Sequence, residues 1–256
     1  MLFDSHAHLN NPQFDEDREE LISSLKENKV DLVLNVGADV KTSIESIELS
    51  DKYYFIYASV GIHPHDVSNL EEDTIDTLRN LATENKKVVA IGEIGLDYYY
   101  ENSPRELQKE WFIKQIKLAN ELKLPIIVHD RDAHQDTFDI IKEYKNDDVG
   151  CVIHCYSGSL ELAKEYVKMN CYISIPGTVT FKNNVKTLEV ARQLPIEYLL
   201  IETDCPYLTP VPHRGKRNNP SYVEFVADKI AQERGISFES VCEITKENAK
   251  RLFNIE

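Results

Sequence analysis

Eight short apolar runs, rich in β-branched residues, recur along the chain at fairly even spacing: residues 2–4, 32–36, 55–62, 88–94, 126–129, 151–155, 172–175 and 199–203. Continuous apolar runs of this length suit parallel strands covered on both faces, because such strands have no solvated side to alternate toward. The stretches between them have helical period. Phe14, Arg18, Leu21 and Leu25 open the first, and Leu107, Trp111, Leu118 and Leu122 stripe another. The last follows Ser237, an N-cap residue type, and carries Phe238, Val241, Ile244 and Leu252. Eight strands alternating with helices predict an α/β fold, a (β/α)8 TIM barrel. Such a barrel typically takes about 250 residues. A chain of 256 residues is therefore expected to form one domain over its whole length, 1–256. An open doubly wound sheet would carry a Gly-rich phosphate turn after its first strand, and neither G-x-G-x-x-G nor a Walker A motif is present.

Charge narrows the partners. The chain has 29 basic and 44 acidic residues, a net of −15. That excludes binding of nucleic acid or anionic membrane through a broad basic surface. It leaves open a nucleic-acid enzyme whose site borrows positive charge from metal ions. Five cysteines without zinc-finger spacing read as reduced thiols. The opening residues lack the basic and apolar regions of a signal peptide, and no apolar run reaches membrane-spanning length. The expectation is a cytoplasmic protein with no membrane partner; the sequence points to no protein partner.

Chemistry gathers where the strands end. The first run leads into Asp4-Ser5-His6-Ala7-His8, and the third into Gly61-Ile62-His63-Pro64-His65. The fourth holds Glu93, with Asp97 following. The fifth ends in His129-Asp130-Arg131, the sixth at His154 and the eighth in Glu202-Thr203-Asp204. The C-terminal ends of barrel strands converge on one face, which holds the active site. His6 and His8, two apart on a strand, present both imidazoles to the same side. Together with His129, His154, Glu93 and Asp204 they exceed what one tetrahedral ion requires. Two ions sharing a bridging carboxylate would use them all, and such a pair can clamp the attacking and leaving oxygens of a displacement. Glu202 and Asp4 lie one layer deeper than Asp204 and His6, as supports. His63 and His65 are candidates for touching substrate, although a rigid His-Pro-His turn would look the same. Cys155 and Cys205 are expected to point away from the ligands, and His134 to sit on a solvated helix face.

Several blocks of this sequence resemble the TatD-type deoxyribonucleases of the metal-dependent amidohydrolase superfamily. Leu2-Phe3-Asp4-Ser5-His6-Ala7-His8-Leu9-Asn10 is similar to that family's opening signature. Pro125-Ile126-Ile127-Val128-His129-Asp130-Arg131-Asp132-Ala133 and Glu202-Thr203-Asp204-Cys205-Pro206-Tyr207 are similar to two others. Gly92-Glu93-Ile94-Gly95-Leu96-Asp97-Tyr98, His154-Cys155-Tyr156-Ser157-Gly158 and the ending Asn248-Ala249-Lys250-Arg251-Leu252-Phe253 extend the resemblance over the whole chain, in order. It implies a barrel with two divalent ions of Mg, Mn or Zn type, one held by His6, His8 and Asp204, the other by His129 and His154, with Glu93 between them. It implies cleavage of phosphodiesters in DNA by a metal-activated water, with Asp204 and Glu93 as catalytic residues, acting on ends or single strands.

Substrate contacts follow from the flanking residues. Arg131 beside His129, and the basic cluster His213-Arg214-Gly215-Lys216-Arg217 after the eighth run, are expected to meet phosphate. Thus His63, His65, Arg131, Arg214, Lys216 and Arg217 are the candidate substrate residues. Tyr98, Tyr99, Tyr100 and Phe181 could stack exposed bases or pack the rim. The same ion pair would also serve a hydrolase of an ester, amide or lactone, an aminoacyl-tRNA deacylase for example, which needs no basic loop.

Overall fold

A computed structural model describes residues 1–256, with Asn69 described by its backbone alone. Eight parallel strands run β1 (Leu2–Ala7), β2 (Val30–Val36), β3 (Ile56–Val60), β4 (Val88–Asp97), β5 (Ile126–Arg131), β6 (Cys151–Ile153), β7 (Cys171–Ile175) and β8 (Leu199–Ile201), each hydrogen-bonded to the next in sequence order. Helices lie between them: α1 (Arg18–Ser24), α2 (Val40–Lys52), α3 (Thr74–Glu84), α4 (Arg105–Leu122), α5 (His134–Tyr144), α6 (Leu160–Lys168) and α7 (Val185–Gln193), with α8 (Val223–Arg234) and α9 (Phe238–Phe253) after the last strand. This is the (β/α)8 architecture that the eight apolar runs predict. Among the described residues, no helix is long and apolar enough to cross a membrane.

Every strand position except Arg131, at the end of β5, is buried or partly buried, as a sheet covered on both faces requires. The outward residues, such as Val33, Ile56, Ile126, Ile153, Ile173 and Leu199, join the helices in one continuous apolar layer. Inside the barrel, Phe3, Leu34, Val89, Ile127, Val152, Tyr172 and Leu200 meet Leu252 and Phe253 of α9, which plug the floor. Local chemistry sets the helix ends. Asp39 caps α2 through Thr42 in a reciprocal capping box, and Ser159 and Ser237 cap α6 and α9 by accepting the N–H of Leu162 and Ser240. Gly235 ends α8 in the left-handed region, where glycine carries no Cβ penalty. The first helix is shorter than its apolar spacing suggests, because Phe14 is buried from a 3-10 turn (Pro12–Phe14) rather than from a continuous helix.

The ring closes where β1 meets β8. Ala7 and Cys205 form a parallel bridge, His8 N donates to Cys205 O (2.9 Å) and Asp204 N to His6 O (2.9 Å). Asp4, fully buried, accepts the N–H of Thr203 (2.9 Å) and its hydroxyl (2.6 Å). Burial pushes the Asp4 carboxyl up to about 8 against those donors.

Candidate metal centre

Glu93 stands at the middle of the upper barrel, and its two oxygens face two different sets of donors. Oε2 lies 3.4 Å from His6 Nε2 and 3.7 Å from His8 Nε2. The same two nitrogens lie 3.8 and 3.5 Å from Asp204 Oδ1. Oε1 lies 2.9 Å from His129 Nδ1 and 2.8 Å from His154 Nε2. Ligand atoms about 2.1 Å from a tetrahedral ion stand roughly 3.4 Å from one another, which is the scale of these separations. The structure therefore brings together all six residues in which the sequence places metal ligation.

Partners on the far side of each ring fix which nitrogen bears the lone pair. His8 Nδ1 donates to Val36 O (3.0 Å), leaving Nε2 free. His129 Nε2 donates to Asp97 Oδ2 (3.1 Å), leaving Nδ1 toward Glu93. His154 turns Nδ1 to Glu202 Oε1 at 3.3 Å. His6 Nδ1 is buried without a hydrogen-bond partner, and its ring stacks on His154 with centroids 3.9 Å apart. Four imidazoles and two carboxylates crowded around one point leave more lone pairs than protons to share. A divalent cation fits such a donor set.

His63 differs. Its Nδ1 accepts the N–H of His65 (3.2 Å), so Nε2, 3.5 Å from Glu93 Oε1, carries the hydrogen. A nitrogen in that state donates to an oxygen, although His63 also stands with Glu93 and His129 in a group close enough to hold a cation. Burial pushes His63 well below the usual imidazole value, so the ring is neutral. The carboxylates are held ionised. Burial opposes the charge on Glu93, but the charge on His154 and protons shared with it by His129 and His154, which a cation would displace, overcome that cost and bring its pKa well down. Asp204 is lowered in the same sense by His8, against its own burial. His154 shifts the opposite way: Glu93 and Glu202 outweigh its burial and raise it well above the ordinary value. A buried pocket of anions beside imidazoles is a trap for positive charge.

Asp97 is the site residue whose role the sequence did not show. The fourth run continues past Ile94 into β4, and Gly95, at φ +140°, brings the chain so close to His129 that a Cβ would lie 2.0 Å from His129 O. That close approach, with Gly95 paired to His129, brings the Asp97 carboxylate within hydrogen-bond reach of His129 Nε2. Glu202 is fully buried, with Oε1 accepting the Cys155 N–H at 2.7 Å. Asp204 lies three residues past the end of β8, in the left-handed region at φ 54°, which Asp tolerates.

Three expectations are corrected. Alternation stops at Ile153, and Cys155, at φ 47°, lines the cleft above the ligands; Cys205 is buried in the core as expected. His134 is not simply solvated, since its Nδ1 bonds Asp130 Oδ2 at 2.8 Å, which raises its pKa. Of the candidate substrate residues, His63, His65 and Arg131 line the cleft, whereas Arg214, Lys216 and Arg217 do not. Arg217 is spent elsewhere: both its terminal nitrogens bond the Asp17 carboxylate (2.8 and 2.5 Å), and one also bonds Gln13 O. Arg214 lies 4.2 Å from the ring centre of Phe181, which is on the cleft wall.

The profile of a family described as "TatD related DNase" matches residues 3–254. The chain belongs to this family. A metal-dependent hydrolase of Bacillus subtilis, YabD, is 51% identical over 255 residues, covering 100% of both chains. YcfH of Escherichia coli K12, also named a metal-dependent hydrolase, is 38% identical, covering 100% of this chain and 96% of its own. The crystal structure of YjjV, a TatD homologue of Escherichia coli K12, superposes with a TM-score of 0.93 at 28% identity, covering 100% of this chain and 98% of that one.

Proposed function

We propose that this chain is a metal-dependent deoxyribonuclease that cleaves phosphodiesters at DNA ends or in single strands. The observation that carries the reading is Glu93, whose two oxygens each face a separate histidine set beneath an open cleft. His6, His8 and Asp204 would hold one divalent ion, His129 and His154 the second, and Glu93 both. When bound, the ions supply a water of lowered pKa and positive charge for the phosphoryl oxygens.

The rest falls to the chain's own side chains. Asp204, ionised and at the edge of its set, takes the proton of the attacking water and returns it to the leaving oxygen. Neutral His63 donates Nε2–H to a phosphoryl oxygen. Arg131, at the end of β5, grips a phosphate with its planar fork. Arg214 lies outside the cleft lining, over Phe181 on its wall, and would reach a flanking phosphate only by leaving that ring. The cleft, about 1820 Å³, exceeds the size of a pocket for one small molecule, roughly 300–1,000 Å³, and supports a polymeric substrate. Five thiols, none in a disulfide, support a reducing compartment, and a single ring of strands supports one domain over 1–256.

The test is digestion of end-labelled single-stranded DNA with Mg2+, with Mn2+ and with EDTA, beside Glu93→Ala. Stepwise shortening that vanishes with EDTA and in the variant is expected. A folded, metal-loaded protein that leaves DNA intact and opens an ester or amide would replace this reading with the alternative hydrolase.

A further inference from the structure

Three consecutive tyrosines follow β4, and the fold treats them differently. Tyr98 is built in: its hydroxyl donates to Asp136 Oδ2 (2.6 Å) and Arg105 lies 4.2 Å from its ring centre. Tyr99 and Tyr100 are 59% and 55% exposed. Their rings meet edge to face, centroids 4.8 Å apart. The Arg131 guanidinium lies over both, 4.2 Å from the centre of Tyr99 and 4.7 Å from that of Tyr100. Although acids outnumber bases 44 to 29, Arg131 makes no ion pair among the described residues.

Packing of the rim does not account for how this turn is fastened. Asp97 Oδ1 accepts the backbone N–H of Tyr99 (3.0 Å) and of Tyr100 (2.9 Å). Asp97 Oδ2 accepts Nε2 of His129 (3.1 Å) and faces Nε2 of His65 at 2.9 Å. One buried carboxylate thus locks the tyrosine turn into the frame of the ligand set. Tyr100 and Arg131 open onto the same cleft as His129 and Asp204. The other unpaired guanidinium on an aromatic ring, Arg214 over Phe181, belongs to the loops after β7 and β8. Those loops lie three strands or more around the ring from β4, on another side of the mouth.

Resting on the nucleic-acid reading above, we propose that Tyr99, Tyr100 and Arg131 form a nucleobase-stacking subsite. A base stacks on one of these two exposed rings while Arg131 holds the phosphate attached to it. Asp97 is the positioning residue that sets the distance from this subsite to the reacting phosphate. A stacked base is recognised through its π face, so the subsite accepts any base and requires that the base be unpaired. It is therefore a selector for single-stranded ends.

The experiment compares two single-stranded oligonucleotides, one intact and one with abasic nucleotides at its two terminal positions. Wild type, Tyr99→Ala/Tyr100→Ala and Tyr99→Phe/Tyr100→Phe are assayed for KM, kcat and bound metal. Wild type should show a KM about tenfold to hundredfold higher on the abasic strand, the worth of one stacked base, with a smaller change in kcat. The alanine pair should lose that discrimination while keeping its metal content, and the phenylalanine pair should retain it. Equal KM values for the two strands in wild type, or discrimination surviving in the alanine pair, would overturn the subsite and leave the nuclease intact. Failure of wild type to cleave either strand would overturn the nuclease reading and the subsite with it.

Discussion

At the floor of the barrel, Ile127, Val152 and Leu200 point inward and pack with Phe3, Leu252 and Phe253. Two residues further along the same strands stand His129, His154 and Glu202. One step of the pleat, roughly 6.6 Å, separates a dry apolar plug from a nest of buried charge. The two ends teach different lessons about cost. The floor satisfies every group it buries, and its residues stabilise the fold by removing apolar surface from water. The upper end crowds ionised Glu93 and Asp204 among imidazoles and leaves His6 Nδ1 and Glu202 Oε2 buried without hydrogen-bond partners, which is destabilising. The upper end is therefore organised for binding and the lower end for holding its donors in place.

Substitutions at the two ends should separate cleanly. The largest effect is expected from Glu93→Ala, which removes the carboxylate both donor sets share. Turnover should fall by roughly 10⁴-fold or more, with metal content falling too, as read by mass spectrometry of the purified protein. A variant that keeps its metal would break the comparison. Next, Phe253→Ala at the floor should cost about 3–5 kcal/mol in urea unfolding while the folded fraction binds metal as before. Altered metal affinity in that variant would show that the ends are not independent. Asp97→Asn leaves the fold but removes the charge behind His129. Metal affinity should weaken by roughly 10–100-fold in calorimetric titration, the scale of losing the carboxylate behind a ligand histidine.

The smallest effect concerns His134, which lies outside both ends. Its pKa is raised above 6.5 by the Asp130 hydrogen bond, so the pair stabilises the fold most below 6.5 and loses that contribution as pH rises through the folded value. About a third of the side chain is exposed, so screening limits the gain to under about 1 kcal/mol. His134→Gln should be less stable than the parent at pH 5.5 and equal to it at pH 9. A difference that persists at pH 9 would mean that packing, not charge, holds this corner.

The strand run pattern made the barrel legible, because a parallel sheet covered on both faces writes itself as uninterrupted apolar runs. The convergence of His6, His8, Glu93, His129, His154 and Asp204 was legible for the same reason: strand ends are local features, and the barrel maps them to one face. What stayed hidden depends on long-range partners or on broken alternation. Arg217 reads as a free base in its own sequence, and nothing local reveals that Asp17 occupies it. Cys155 reads as outward by alternation, which the left-handed residue after β6 overrides. Asp97 reads as an ordinary turn acid, since its four partners come from residues 65, 99, 100 and 129.

The seam between β1 and β8 carries a consequence for assembly. The contacts that close the ring, Thr203 to Asp4 among them, join residues 199 apart in sequence, and pairings of such separation carry a high entropic cost before they are rewarded. His6 and His8, at the end of the first strand, and Asp204, in the turn after the last, sit on that seam. A growing or partly folded chain thus has no such triad to offer, however complete its middle strands. On the assignment proposed above, ligation would report that closure has happened, and a cation captured there would add its binding energy to holding the first and last strands together.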